Sequence, residues 1–281
     1  MTIFLRNHAH MPALSAQIAV GLELALLLSG AWLLWRLILS PAARAERPAP
    51  LLGTWEISLT DFLLYLWCVI IGGLICQVGL TQLLKHANLT STQRLIYVGG
   101  GFQFGMLAGI AFFRLILQRR VVTPDAPGTL HPALSGLATF LISLPILTVV
   151  SAIWQFILKY CGIVAEKQVL IAMFADAKSP ALLAFMILLA IVIAPITEEL
   201  LFRAGIFRYV RTRLPRWVAL LIPSVLFGAL HGNLASFAPL VALGVVFSLA
   251  YARTGRIATT IVAHGLFNLN TIVLILSGVT V

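Results

Sequence analysis

Apolar residues in this chain fall in long unbroken runs, separated by short polar breaks. A helix needs about 20 apolar residues to cross the hydrocarbon of a bilayer. Eight runs approach or exceed that length: residues 13–39, 61–84, 95–118, 133–158, 180–206, 216–231, 234–252 and 257–279. The sixth is short and is expected to tilt or to re-enter the membrane. No run alternates apolar and polar positions as a barrel strand does. The expected fold is therefore all-α, a polytopic membrane protein of about eight transmembrane helices without an internal repeat. The first run follows Arg6 and precedes Ala42, Ala43 and Ala45. It is too long for a signal-peptide core of about 7–15 residues and reads as an uncleaved helix.

The breaks differ in character. Pro41 to Thr60 and Arg119 to Gly128 are rich in Pro and Arg and read as exposed loops. Ala165 to Ser179 mixes Glu166, Lys167, Asp176 and Lys178 with Val169, Leu170, Ile171, Met173 and Phe174. It suits an amphipathic helix lying at the interface, or an extension of the fourth helix. Residues 1–178 then form the N-terminal membrane helices and interfacial segment, and 179–281 the part that carries the chemistry.

Composition excludes several classes. Of 281 residues, 60% are hydrophobic and 10% charged, with a mean hydropathy of +1.03. Globular chains average about 45–50% apolar and about 25% charged. A water-soluble enzyme, a disordered chain and a nucleic-acid-binding domain are all excluded. The formal charge of +10 is then read as basic loops facing anionic lipid rather than as a nucleic-acid partner. Twelve Arg or Lys residues lie in the odd-numbered connections and six in the even ones and the N-terminus. The positive-inside rule places the odd connections in the cytoplasm and both termini outside. Cys68, Cys76 and Cys161 lack metal-type spacing, and Cys68 and Cys76 read as small core residues.

Ionisable residues inside the membrane are expensive and point to function. Here they gather in the last four runs. The fifth carries Glu198, Glu199 and Arg203, the sixth ends on His231, and the eighth holds His264 and Asn268. Glu199 and Arg203 are i,i+4 and can pair on one helix face. Glu198 is turned about 100° away from that pair. His264 and Asn268 share a face, as do Phe227 and His231. Glu198 lies eight residues before Ile206 and His264 seven after Ile257, so both sit roughly 10–12 Å in from the same, cytoplasmic, end.

A carboxylate, two imidazoles and an amide can activate water. Glu198 would be the general base, with His231 sharing the proton or orienting the water, and His264 and Asn268 donating to an oxyanion. Glu198, His231 and His264 could equally bind a divalent metal such as zinc with one open position. A structural ion pair and packed core histidines, or a transporter's proton relay, are the plainer readings of each feature alone.

Glu198-Glu199-x-x-x-Arg203, Phe227-x-x-x-His231 and His264-x-x-x-Asn268 resemble the three motifs of the CPBP intramembrane proteases. That family covers CAAX-processing proteases, including the type II CAAX prenyl endopeptidase, bacteriocin-processing proteins and the Abi group. The resemblance runs from Ala184 to Asn268. It implies an endopeptidase acting on a membrane peptide or protein, prenylated in the CAAX members. Glu198 and His231 would activate water, Glu199 and Arg203 would form the supporting pair, and His264 and Asn268 would hold the oxyanion. The family has been described both as metal-dependent and as using a metal-free glutamate. Short loops and a high Arg-to-Lys ratio suit a bacterial inner membrane, with the site opening to the cytoplasm. The alternative is a non-proteolytic immunity or scaffold member of the same family.

Overall fold

The computed structural model describes residues 14–46, 49–117, 131–163, 173–174 and 179–279. Most of the expected interfacial stretch at 165–179 and the whole Arg119–Gly128 loop lie outside these residues. Every regular element among the described residues is helical: α1 (Leu14–Leu39), α2 (Pro41–Ala45), α3 (Leu59–Leu83), α4 (Ser91–Leu117), α5 (Pro132–Tyr160), α6 (Pro180–Arg211), α7 (Arg216–Leu230), α8 (Leu234–Thr254) and α9 (Ile257–Leu276). Seven of them are long and apolar enough to cross a membrane. The protein is an all-α integral membrane protein.

The eight expected runs therefore all form helices, but the sixth does not span. α7 has 15 residues, which is about 22 Å of helix against a hydrocarbon core of about 30 Å. Pro215 starts it, and Gly232, in the left-handed conformation at φ 60°, ends it. Elsewhere polar caps mark where helices begin. The Ser58 side chain accepts from Asp61 N at the start of α3, and Thr90 and Gln93 form a capping box on α4.

Helices α3 and α4 pack closely because glycines face glycines. A Cβ on Gly105 would lie 2.2 Å from the Gly72 carbonyl oxygen, and one on Gly109 2.2 Å from the Cys68 carbonyl oxygen. Small residues spaced in this way let membrane helices approach through their backbones. Gly105→Val should force the two helices apart and cost about 1–3 kcal/mol, the usual range for overpacking. Gly99→Ala, where an added Cβ meets nothing within 4 Å, should leave thermal unfolding in detergent unchanged. Equal effects of the two changes would refute this packing.

α5 lies at the centre and packs against α1, α8 and α9. The expected exposed loop at 41–60 is only partly that. Leu52 and Trp55 are buried, and Leu52 N donates to the Ala252 carbonyl, which ties this segment to the end of α8. Its apolar side chains face protein, not water. Cys68 is buried as expected, whereas Cys76 is only half-buried.

Candidate active site

α6 is not a uniform helix. Its hydrogen bonding widens to π-type turns at Leu189–Ile193 and Leu200–Phe207, on either side of the α-helical Ala194–Glu199. Pro195 supplies a local cause. It has no N–H to give to the preceding turn, and a helix with a missing donor must reorganise. Ala194 N already bonds five residues back, to the Leu189 carbonyl. In that register the carbonyl that Pro195 would have served is Ala190's. Asn268 Nδ2 of α9 fills the gap, donating to Ala190 O at 2.7 Å. Neighbouring helices commonly satisfy backbone that proline frees in a membrane.

Glu198 and Glu199 follow three and four residues after the proline. Glu199 is fully buried and its Oε1 accepts two bonds. Arg203 Nη1, one turn on in the same helix, lies at 2.7 Å, and His264 Nδ1 of α9 at 2.9 Å. Arg203 is itself buried. Its Nε and Nη2 find no hydrogen-bond acceptor among the described residues. Aromatic faces surround it instead, with its guanidinium carbon 4.6 Å from the Phe227 ring centre and 5.3 Å from that of Phe247. Cation–π attraction of this kind offsets part of the lost hydration.

His264 is thus clamped on one side. Its other nitrogen, Nε2, faces Glu198 Oε2 at 3.7 Å. The Glu198 side chain is 18% exposed, so it is the glutamate of the pair that solvent can reach. The shared depth expected for Glu198 and His264 is what this proximity requires.

His231 stands apart. It caps the C-terminal end of α7 and is exposed, and its Nδ1 donates to the Phe227 carbonyl at 2.7 Å. Phe227 contacts both histidines, at ring-centre distances of 4.8 Å to His231 and 5.8 Å to His264. No hydrogen bond or ion pair joins His231 to Glu198. The structure therefore brings Glu198, Glu199, Arg203 and His264 into one cluster. It puts His231 behind one aromatic ring and turns Asn268 to a backbone carbonyl.

Two participants escape the sequence pattern. Phe247 is fully buried against both Arg203 and His264, at 5.6 Å from the latter ring, and an aromatic inside an apolar run carries no signal of its own. Glu23 in α1 accepts from Asn270 Nδ2 at 2.8 Å, two residues beyond Asn268. A single acid inside an apolar run was a readable sign there.

As for metal, no three His, Cys, Asp or Glu side chains among the described residues converge as ligands. Glu199 and His264 Nδ1 are committed to each other beside a guanidinium, which would repel a cation. The donor set does not fit the expected zinc.

Residues 180–270 match the family described as Type II CAAX prenyl endopeptidase Rce1-like. This segment belongs to the CPBP/CAAX protease family. The match contains every residue of the cluster, together with His231 and Asn268. Among curated proteins, the chain is 39% identical over 83 residues to "Putative membrane peptidase YdiL" of Bacillus subtilis (strain 168), covering 30% of this chain and 34% of that protein. It is 34% identical over 86 residues to "UPF0177 protein YbdI" of Lactococcus lactis subsp. lactis (strain IL1403), covering 30% and 46%. It is 33% identical over 97 residues to "Uncharacterized 24.3 kDa protein" of Escherichia coli, covering 33% and 44%. The matches span between a third and a half of these relatives' lengths. No solved structure matches. As a member of a CAAX-type peptidase family by this segment, the chain carries its family likeness in α6 to α9, and α1 to α5 lie outside the match.

Proposed function

We propose that this protein is an intramembrane endopeptidase that hydrolyses a peptide bond with water activated by Glu198. The observation that supports the reading best is the pairing of a partly exposed carboxylate with a histidine whose far side is locked. The 3.7 Å between Glu198 Oε2 and His264 Nε2 is too long for a direct hydrogen bond. It is short enough for one water to touch both.

In this reading Glu198, as carboxylate, takes a proton from that water, and the hydroxide attacks the carbonyl carbon of the substrate. The tetrahedral oxyanion then collapses, the C–N bond breaks, and the proton on Glu198 passes to the departing amine. Glu198 ends as a carboxylate. His264 Nδ1–H stays on Glu199. Donation from its Nε2 to the oxyanion requires the doubly protonated ring, and in that form Glu198, Glu199, Arg203 and His264 sum to zero charge. Asn268 has one amide hydrogen committed to Ala190 O, and its second can serve the oxyanion. His231, with Nδ1–H on Phe227 O, offers Nε2 as an accessory base at the exposed end of α7. The substrate is a membrane-associated polypeptide reached from the cytoplasmic side.

The test is proteolysis by the purified, reconstituted protein on a panel of membrane peptides that includes a farnesylated CAAX peptide. Cleavage is expected, and a strong chelator should leave its rate unchanged. Loss of cleavage on chelation, restored by zinc, would overturn the metal-free mechanism. Turnover only of the farnesylated peptide would assign a prenylated substrate, and turnover of unmodified peptides would remove that requirement.

A further inference from the structure

A second polar site lies away from the glutamates, at the end of the bundle where the odd-numbered connections meet. It is a half-open cavity of about 320 Å³. Three arginines from three different segments line it: Arg114 at the end of α4, Arg208 near the end of α6, and Arg256 just before α9. No Asp or Glu among the described residues joins them. Like charges gathered at one cavity repel one another, so the arrangement calls for an anion.

Two further features point the same way. Ile257 and Ala258, the first two residues of the 20-residue α9, also line the cavity. Amide groups in the first turn of a helix have no partner within the helix and favour anions. The Trp55 indole lies on the wall as well. It is 6% exposed, and its Nε1–H has no hydrogen-bond partner among the described residues. A buried donor of that kind is normally satisfied.

The position identifies the source of the anion. The cavity is bounded by the ends of membrane-spanning helices, at the depth where lipid headgroups lie. Leu115, Ile116 and Leu117 beside Arg114 are exposed and apolar, as is Leu134 at the start of α5. They form a surface for acyl chains next to the guanidinium groups. Basic pockets between transmembrane helices at this level suit lipid phosphates, and arginine matches phosphate geometry well.

We propose that this cavity binds the phosphate of an anionic phospholipid headgroup. The bound phosphate would bridge the two helices that carry the glutamate–histidine cluster. Leu200 and Ala204 of α6 line one side and the first turn of α9 the other. The proposal does not rest on the proteolytic reading, since it concerns binding alone.

The experiment uses the full-length protein, stripped of lipid in a neutral detergent. It is titrated with phosphatidylglycerol, with phosphatidylcholine of the same acyl chains, and with inorganic phosphate, and binding is followed by native mass spectrometry. Phosphatidylglycerol is expected to bind at least about tenfold more tightly than phosphatidylcholine. Arg114→Gln and Arg256→Gln should each remove about tenfold of that affinity, the worth of one charged hydrogen bond. Arg253→Gln removes the same charge from an exposed site outside the cavity and should change nothing. Arg208 is buried and is left intact so that folding is not at issue. Equal affinity for the two lipids would overturn the proposal. So would an equal loss in Arg253→Gln, which would mean diffuse surface charge. Inorganic phosphate binding as tightly as phosphatidylglycerol would assign the site to a soluble anion and overturn the lipid.

Discussion

Glu198→Gln should lower the rate of peptide cleavage by about 10²–10⁴-fold, the range expected for removing a general acid–base group, and leave the fold untouched. The substitution keeps the size of the side chain and removes the proton-accepting oxygen. Glu198 makes no hydrogen bond that holds the bundle together. Its nearest charged partner is at 3.7 Å, and its side chain reaches solvent. Thermal unfolding in detergent should therefore match the wild type. Retained cleavage would remove Glu198 from the reaction. Lost cleavage with a lowered Tm would make it a structural residue.

Arg203→Ala should give the opposite signature. Arg203 and Glu199 are both buried, and the bond between them is 2.7 Å long. Deleting the cation leaves Glu199 enclosed with only His264 to neutralise it. Breaking a buried pair in this way costs about 3–5 kcal/mol. Tm in detergent should fall by on the order of 10 °C, and activity should fall with it. Arg203→Lys should recover little, because an ammonium lacks the flat faces that meet Phe227 and Phe247. The paired change Glu199→Gln with Arg203→Met separates stability from chemistry. It removes both charges and should restore most of the Tm, while activity stays low because His264 loses its anchor. Wild-type activity in that double variant would sink the positioning role of Glu199.

The sequence was most readable where chemistry conflicts with its surroundings. Glutamates and histidines stand out in apolar runs, and helical spacing alone pairs Glu199 with Arg203. The shared depth of Glu198 and His264 was also within reach, since both lie a countable distance from a helix end. His231 was harder, because its depth depends on where α7 stops and on the ring of Phe227 beside it. Asn268 was hardest. Its bond to Ala190 O follows from the donor that Pro195 lacks and from a π-type register, and neither the partner helix nor the register can be read from spacing. Phe247 gave no warning for the same reason, since an aromatic residue looks alike whether it packs on lipid, on leucine or on a guanidinium. The buried Leu52 and Trp55 in a break rich in proline and arginine show that polar composition locates a loop without saying what its few apolar side chains cover.

The placement of Glu199 and Arg203 four residues apart has a consequence for biogenesis. Both charges enter the membrane on one helix, already neutralised by each other. Their histidine partner lies 65 residues further along the chain, on a helix that the ribosome has yet to make. A glutamate whose counter-charge lay on a later helix would have to wait unpaired in the lipid or in the insertion machinery. Here the costly part of the site is self-sufficient from the moment it is inserted. Glu198, His264 and the substrate-facing geometry come together only when the last helix docks, so a half-made chain is inert.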